Sequence, residues 1–244
     1  MRFIVMHKFG EVETPEPTVD PKIVEGMGAL IGESIKNGVF ENGAGLNPNF
    51  PRTRFVARGG AVSKESPIRG RNELLTGFAM IDVANQAEAH AIAERYLKVV
   101  GDAEVEVGRV TEPWDIGVAR KPTGPVREKY LMLHSADARS EAATPPSEKE
   151  QHDMAAFMAS LSTRLLTAEG VLPSKNGRRL KLKDGKATVI DGPFTESKEL
   201  VGGFSIVRFP SLEAATEWAR RYADVLGPTI EVDVLQLHDR QAKS

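Results

Sequence analysis

The spacing of apolar residues changes from segment to segment in the second half of the chain, and each spacing predicts a strand or a helix. Tyr130 to His134 is a continuous apolar run, which predicts a strand buried on both faces. Apolar residues then follow at helical spacing after a capping box at Ser147 and Glu150, and we expect this helix to end at Gly170. Alternation with period two around Asp184-Gly185 predicts a β-hairpin. The remaining predicted elements are a strand from Gly203 to Phe209, a helix after Ser211 and a strand from Ile230 to Leu237.

The same order of elements recurs in the first half of the chain at a nearly constant offset. Such an offset across unrelated local patterns predicts a tandem repeat. The first repeat spans residues 1–116, a linker rich in proline and glycine spans 117–128, and the second repeat spans 129–240. The matching segments are the runs that end in His7 and His134, residues 73–78 and 199–204, Arg95-Tyr96 and Arg221-Tyr222, and residues 104–107 and 231–234.

Each repeat has the order βαββαβ when its inserted hairpin is left out, which is the plan of a ferredoxin-like fold. Two right-handed crossovers place the strands in the order 4-1-3-2, with both helices on one face. The other face also needs cover, because the first strand is apolar on both sides. We therefore predict an α+β protein whose two sheets pack face to face. This pseudo-dimer would build within one chain what a homodimer builds from two.

Composition limits the class of the protein. The chain has 244 residues, a formal net charge of -2 and 41% hydrophobic residues, which excludes a disordered chain and disfavours a strongly basic nucleic-acid binder. The absence of cysteine excludes disulfides, zinc–thiolate sites and a cysteine nucleophile. The start of the sequence is too quickly polar for a signal peptide, and no apolar run reaches the ~20 residues of a membrane span. We expect a cytoplasmic protein with no nucleic-acid or membrane partner.

The hairpin of the second repeat ends in a motif that carries a family resemblance. Residues 180–194 end in Asp191-Gly192-Pro193-Phe194 and lead into residues 199–204. This stretch resembles the Asp-Gly-Pro-Phe signature of the YCII-related proteins, and residues 211–219 are similar to the same family. In the first repeat, Glu65-Ser66-Pro67-Ile68 stands in place of the signature. The resemblance implies a dimeric α/β-barrel, here formed within one chain. Members of this fold include muconolactone isomerases, small monooxygenases and haem-binding enzymes, so the reaction stays open.

Two histidines end the first strands of the two repeats and are candidates for chemistry. In the predicted strand order, the end of strand 1 lies beside the start of strand 3, so His134 and Asp191 are expected at one edge of one sheet. A histidine oriented by a carboxylate is a usable general acid or base near neutral pH. We therefore predict His134 and Asp191 as the catalytic pair. Glu199, His7 and Glu73 are predicted to contribute to binding.

Each of these residues also has a structural interpretation. A histidine at a strand end can bond to the backbone, and Asp191 can accept a hydrogen bond within its own turn. Glu199 is expected to form a salt bridge to Lys198 or Arg221. One histidine and two carboxylates without short-range ligand spacing are a weak metal signal, so we expect no metal and no cofactor.

The function predicted from these residues is acid–base catalysis on a small polar or aromatic molecule. The alternative is a non-catalytic module that binds a ligand or a partner, which would suit a regulatory role; further oligomers are compatible with either. An enzyme should have a closed apolar pocket with His134 or His7 pointing into it, whereas a binding module should have an exposed apolar patch or an open cleft. His134 could meet a substrate if its face of the strand is turned to the partner sheet. On the helix face it would be a core or capping histidine, and the catalytic prediction would fail in favour of a binding module.

Overall fold

The computed structural model of the chain describes residues 1–9, 20–70, 74–194 and 199–239. Over these ranges the protein has mixed α and β structure, with two antiparallel six-stranded sheets and five α-helices, and no helix is both long and apolar enough to span a membrane. The first half contains β1 (Arg2–Phe9), α1 (Pro21–Lys36), β2 (Phe40–Gly45), β3 (Thr53–Arg58), β4 (Ala61–Glu65), β5 (Leu75–Val83), α2 (Gln86–Val100) and β6 (Ala103–Arg109). The second half contains β7 (Glu128–Ser135), α3 (Ala138–Glu141), α4 (Glu148–Leu161), β8 (Leu165–Gly170), β9 (Arg178–Lys183), β10 (Lys186–Asp191), β11 (Leu200–Arg208), α5 (Leu212–Leu226) and β12 (Ile230–Gln236).

Each long helix begins after a polar residue that caps it, as predicted at Ser147. The side chains of Asp20, Asn85, Ser147 and Ser211 each accept a hydrogen bond from a backbone N–H in the first turn of the helix that follows. The backbone N–H of Ser147 also donates a hydrogen bond to the Glu150 carboxylate, so the capping box is complete.

The end of the first helix in the second half was placed wrongly. The predicted helix continued to Gly170, but α4 ends at Leu161 and residues 165–170 form β8 instead. Ser162 has a φ of 52°, in the left-handed region that a continuing helix cannot adopt. The apolar spacing across residues 154–165 concealed this break, because a helix and the strand after it can present apolar residues to the same core.

Each sheet combines strands from both halves of the sequence. The first sheet has the order β10-β9-β12-β1-β11-β2, and the second has the order β4-β3-β6-β7-β5-β8. β1 therefore pairs with strands of the second half, and β7 pairs with strands of the first half. The expectation that each half forms its own sheet is wrong. When the strands of each half are numbered 1 to 4 without the inserted hairpin, both sheets contain the order 4-1-3-2. In each sheet, strands 1 and 2 come from one half of the chain and strands 3 and 4 from the other.

This exchange has a physical explanation in the similarity of the two first strands. β1 and β7 both present a continuous apolar run that ends in a histidine, so either strand can occupy the central position of either sheet. Pairing is specified by which residues face the core, and that pattern is the same in the two runs. Exchange of equivalent elements therefore costs little, as in domain swapping.

The chain separates into two compact units that follow the sheets. The first unit consists of the described parts of Met1–Gly45, Gly70–Leu74 and Val171–Ser244, and the second consists of Leu46–Arg69 and Leu75–Gly170. Neither sheet is closed on itself, because each has two edge strands. The units do not coincide with residues 1–116 and 129–240, so those boundaries stay a prediction about the repeat in the sequence.

The face of β7 that carries His134 is turned toward helices. Tyr130 and Met132 are buried in the core of the second unit together with Leu97 of α2 and Phe157 of α4. Side chains on a strand alternate between its two faces, so His134 lies on the same face as these two residues. The arrangement with His134 facing a partner sheet is therefore wrong. His134 is a core residue if other side chains fill the space beside it, and it can contact a ligand if a cavity lies there.

Candidate functional site

The second unit contains a cavity of about 580 Å³ between its sheet and its helices, called the inner cavity below. One wall is formed by β5, β6, β7 and β8, and the other by α2 and α4. Most of the lining is apolar, including Phe78, Met132, Met154 and Phe157. A cavity of this size and character is typical of a site for a small molecule. The helix face of the sheet is therefore not solidly packed where His134 lies.

His134 reaches this cavity from the end of β7. In the sheet it lies opposite Gly77 of β5 and Val105 of β6. Its Nδ1 is 2.8 Å from the phenolic oxygen of Tyr96, and the two rings are nearly perpendicular. Among the described residues, Nε2 of His134 has no hydrogen-bond partner. One ring nitrogen is thus held in place, and the other is available to a molecule in the cavity.

Burial keeps both members of this pair uncharged near neutral pH. It lowers the pKa of His134 from 6.5, and it raises the pKa of Tyr96. The imidazole is therefore mainly neutral and the phenol stays protonated. Which atom carries the shared proton depends on the tautomer of the histidine.

Asp137 supplies a negative charge near His134. It follows β7 directly and caps α3, where its Oδ1 accepts a hydrogen bond from the backbone N–H of Ser140 at 2.8 Å. Burial opposes ionisation of Asp137, but the bonds from Ser140 prevail and lower its pKa. Its charge raises the pKa of His134 and so works against the larger effect of burial. Asp137 is therefore an ionised carboxylate that favours a charged imidazole.

Asp191 lies in the other unit, and the argument that placed it beside His134 is wrong. The strand that adjoins β7 at His134 is β5, whereas Asp191 ends β10 in the first sheet. Oδ1 of Asp191 accepts a hydrogen bond from Nε of Arg178 at 2.7 Å, and its side chain is 77% exposed. The exchange of strands between halves removed the shared edge on which the pair depended. A catalytic role for Asp191 stays a prediction.

The rest of the signature anchors the end of the β9–β10 hairpin. A Cβ on Gly192 would lie 1.9 Å from the carbonyl oxygen of Ser174, so only glycine fits there. The backbone N–H of Phe194 donates to Oγ of Ser174 at 3.0 Å, and the guanidinium of Arg179 lies 4.5 Å from the centre of the Phe194 ring. These contacts give the Asp-Gly-Pro-Phe motif a structural role in the first unit.

Glu199 and His7, two of the three predicted binding residues, belong to the first unit. Glu199 contributes to the electrostatic environment of the buried Arg179, whose pKa is raised by Asp233, Glu231 and Glu199 against the effect of burial. Arg221, one of the partners expected for Glu199, forms an ion pair with Glu33 at 2.6 Å. Glu73, the counterpart of Glu199 in the first half, lies outside the described residues.

His7 has the same kind of partner as His134. Its Nδ1 lies 2.6 Å from the phenolic oxygen of Tyr222, and it faces Gly203 across the sheet. Both residues line a smaller cavity of about 290 Å³ in the first unit. His7 and Tyr222 are both buried, at 7% and 4% exposure. The first unit thus repeats the histidine–tyrosine arrangement with both side chains more deeply buried.

The tyrosines are the site residues that the sequence reasoning missed. Arg95-Tyr96 and Arg221-Tyr222 recur at almost the same offset as the two histidines, but they were used in the sequence analysis only as evidence for the repeat. The recurrence of a polar aromatic residue in register with a histidine was the available signal.

Within the described ranges, no group of three or more His, Cys, Asp or Glu residues could hold a metal ion.

Among the comparisons with known proteins, a family model matches the second half of the chain. The family model of the YCII-related domain matches residues 129–236, which run from β7 to the end of β12. No curated protein and no solved structure matches the chain. The resemblance read from the Asp-Gly-Pro-Phe motif is thereby confirmed, while the repeat relationship to the first half stays a prediction. Residues 129–236 are therefore a YCII-related domain.

Proposed function

We propose that the second unit binds a small, largely apolar molecule in the inner cavity and transfers a proton through His134. The observation that carries the proposal is a neutral imidazole in a largely apolar cavity, whose Nε2 has no hydrogen-bond partner among the described residues. A neutral imidazole in such surroundings can accept a proton without first losing one to water. An aromatic or aliphatic body suits this lining, which includes Phe78 and Phe157.

In this proposal the partners of His134 are Tyr96 and Asp137. With its proton on Nδ1, His134 donates to the Tyr96 oxygen and presents the lone pair of Nε2 to the ligand. When Nε2 takes a proton, the imidazolium keeps its bond to Tyr96, and the charge of Asp137 stabilises it. Asp137 thus takes the role that the sequence analysis gave to Asp191.

The proposed architecture is a tandem of two ferredoxin-like repeats that exchange their first two strands and the helix between them. The support is the strand order, because β12-β1-β11-β2 and β6-β7-β5-β8 are the same arrangement in the two sheets. An intrachain dimeric α/β-barrel stays part of this proposal, as the family resemblance implies.

A ligand-binding protein without catalysis is the second candidate. It is favoured by the nature of the partner of His134, which is a neutral phenol. In the described part of the chain, no carboxylate forms a hydrogen bond with His134. A phenol orients the imidazole but increases its basicity less than a direct carboxylate bond would.

Proton abstraction from 5-nitrobenzisoxazole tests the catalytic proposal without knowledge of the natural substrate. A base removes the proton on C3 of this small aromatic compound, the ring N–O bond breaks, and a coloured cyanonitrophenolate forms. We expect the full chain to accelerate this reaction with saturation kinetics. His134→Gln, which keeps a polar amide near the position of Nε2 but cannot accept a proton, should lower kcat/KM by at least about tenfold.

The matched control is His152→Gln, because His152 is an exposed histidine on α4 that does not line the inner cavity. Its rate should equal that of the parent protein. Equal rates for the parent and His134→Gln would exclude general-base catalysis by this residue. If toluene then still binds in the inner cavity by NMR chemical-shift changes, the non-catalytic candidate is the correct one.

A further inference from the structure

The inner cavity adjoins a second cavity of about 520 Å³ in the same unit, called the outer cavity below. Its lining includes exposed residues such as Arg139, Gln151 and Ala155. The residues that line both cavities are Thr76, Val100, His134, Pro146 and Met154. His134 therefore lies on the wall common to the two cavities.

The two cavities differ in chemical character. Most inner-cavity side chains are apolar, whereas the outer cavity is lined by charged and hydrogen-bonding side chains as well as apolar ones. The outer set includes the hydroxyls of Ser140 and Thr144 and the amide of Gln151. A molecule that fills both cavities must then have an apolar part and a polar part.

The charges of the outer cavity do not balance. Its lining has three carboxylates, Asp102, Asp137 and Glu150, and one guanidinium, Arg139. Nη2 of Arg139 lies 2.8 Å from Oε2 of Glu150, so these two charges compensate each other. Asp102 and Asp137 accept hydrogen bonds from the uncharged backbone N–H groups of Gly59 and Ser140. The cavity is left with an excess of negative charge, which attracts a cation and repels an anion.

We propose that the ligand of the second unit is amphipathic, with its apolar part in the inner cavity, a cationic or uncharged hydrogen-bonding part in the outer cavity, and the atoms that join them beside His134. This inference rests on the proposed function, because it assumes that the inner cavity is occupied. It adds the class of the ligand and the position along it at which His134 acts. An amine or a polyol on an aromatic or aliphatic body meets these requirements, and an organic acid does not.

A matched series of phenyl compounds tests the inference. Toluene fills only the inner cavity, while 4-phenylbutylamine, 4-phenylbutanol and 4-phenylbutanoate add a cationic, an uncharged and an anionic end. Dissociation constants are measured with the full chain by NMR titration at low and high salt. We expect the amine to bind about tenfold more tightly than the carboxylate. Added salt should reduce this difference, because it screens the charges of a partly open site.

Ala155→Phe separates the two cavities, because Ala155 lines only the outer one and is exposed on α4. The larger side chain should weaken binding of 4-phenylbutylamine by about tenfold through steric exclusion. Toluene binding should change by less than about twofold, because the inner cavity is untouched. Ala159→Phe is the control, since Ala159 is exposed on the same helix and lines neither cavity.

The outcomes distinguish this inference from the proposed function. If toluene binds but the three polar ends give equal affinities, or if Ala155→Phe leaves the amine unaffected, the amphipathic ligand is wrong and the inner site stands. Tighter binding of the carboxylate would also overturn it. If neither toluene nor any of the three longer compounds binds, both proposals fail.

Discussion

Nδ1 of His134 lies 2.8 Å from the phenolic oxygen of Tyr96, and the two residues come from opposite halves of the sequence. The same is true of His7 and Tyr222 in the first unit. Each pair exists only because the first strand of one half inserts between strands of the other half. The candidate site is therefore a product of strand exchange, and neither half contains it alone.

Titration of His134 by NMR is expected to give a pKa below 6.5, because burial disfavours the imidazolium more than Asp137 favours it. Since the unfolded chain then binds the proton more tightly than the folded one, this residue makes the free energy of unfolding fall as pH decreases below 6.5. Asp137→Asn removes the favourable charge and should lower the pKa of His134 further. An unchanged or higher pKa in that variant would show that Asp137 does not act on the histidine.

Local structure was largely predictable from the sequence, and pairing was not. The caps at Ser147 and Asn85 are set by residues within one turn of the chain, so a single local pattern specifies them. The neighbours of β1 are more than a hundred residues away, and its apolar pattern fits the centre of either sheet. Asp191 was assigned to His134 through such a pairing. That is why the histidines were found and their partners were not.

Removal of the tyrosine hydroxyls should have different effects in the two units. Tyr96→Phe and Tyr222→Phe each delete one hydrogen bond to a partly or fully buried histidine, so each should destabilise the protein by about 1–2 kcal/mol. Only Tyr96→Phe should also lower the rate with 5-nitrobenzisoxazole, because it frees the imidazole that faces the larger cavity. Urea unfolding and initial rates measure the two effects. A rate loss in Tyr222→Phe equal to that in Tyr96→Phe would contradict this assignment.

Substitution of His7 and of His134 is expected to have different effects on the rate, as for their tyrosine partners. His7 is only 7% exposed and its cavity is about 290 Å³, half the size of the inner cavity at about 580 Å³. His7→Gln should therefore reduce stability and leave the rate near that of the parent, whereas His134→Gln should reduce the rate. Equal rate losses would indicate two working sites and a catalytic role for both units.

The signature should be more important for stability than for chemistry. Gly192→Ala places a methyl group where the Ser174 carbonyl oxygen lies, and we expect a loss of about 2 kcal/mol or more. Gly28→Ala is the control, because a Cβ there meets no atom within 4 Å and the position is helical and exposed. Asp191→Asn removes an exposed ion pair worth about 1 kcal/mol or less and should leave the rate unchanged. A large rate loss in Asp191→Asn would restore Asp191 as a catalytic residue.

Separated halves should depend on each other for folding. Residues 1–116 contain β1 without β11 and β12, and they contain β5 and β6 without β7 between them. β1 then lacks both of its neighbours and the second sheet lacks its central strand, so the exposed apolar edges should lead to aggregation or to homodimers. Co-expression with residues 117–244 should instead give a soluble complex of the two fragments, detected by co-purification through a tag on one of them. A stable monomer of residues 1–116 with native-like circular dichroism would show that a half can satisfy its own strands, and the predicted dependence of the halves on each other would then be wrong.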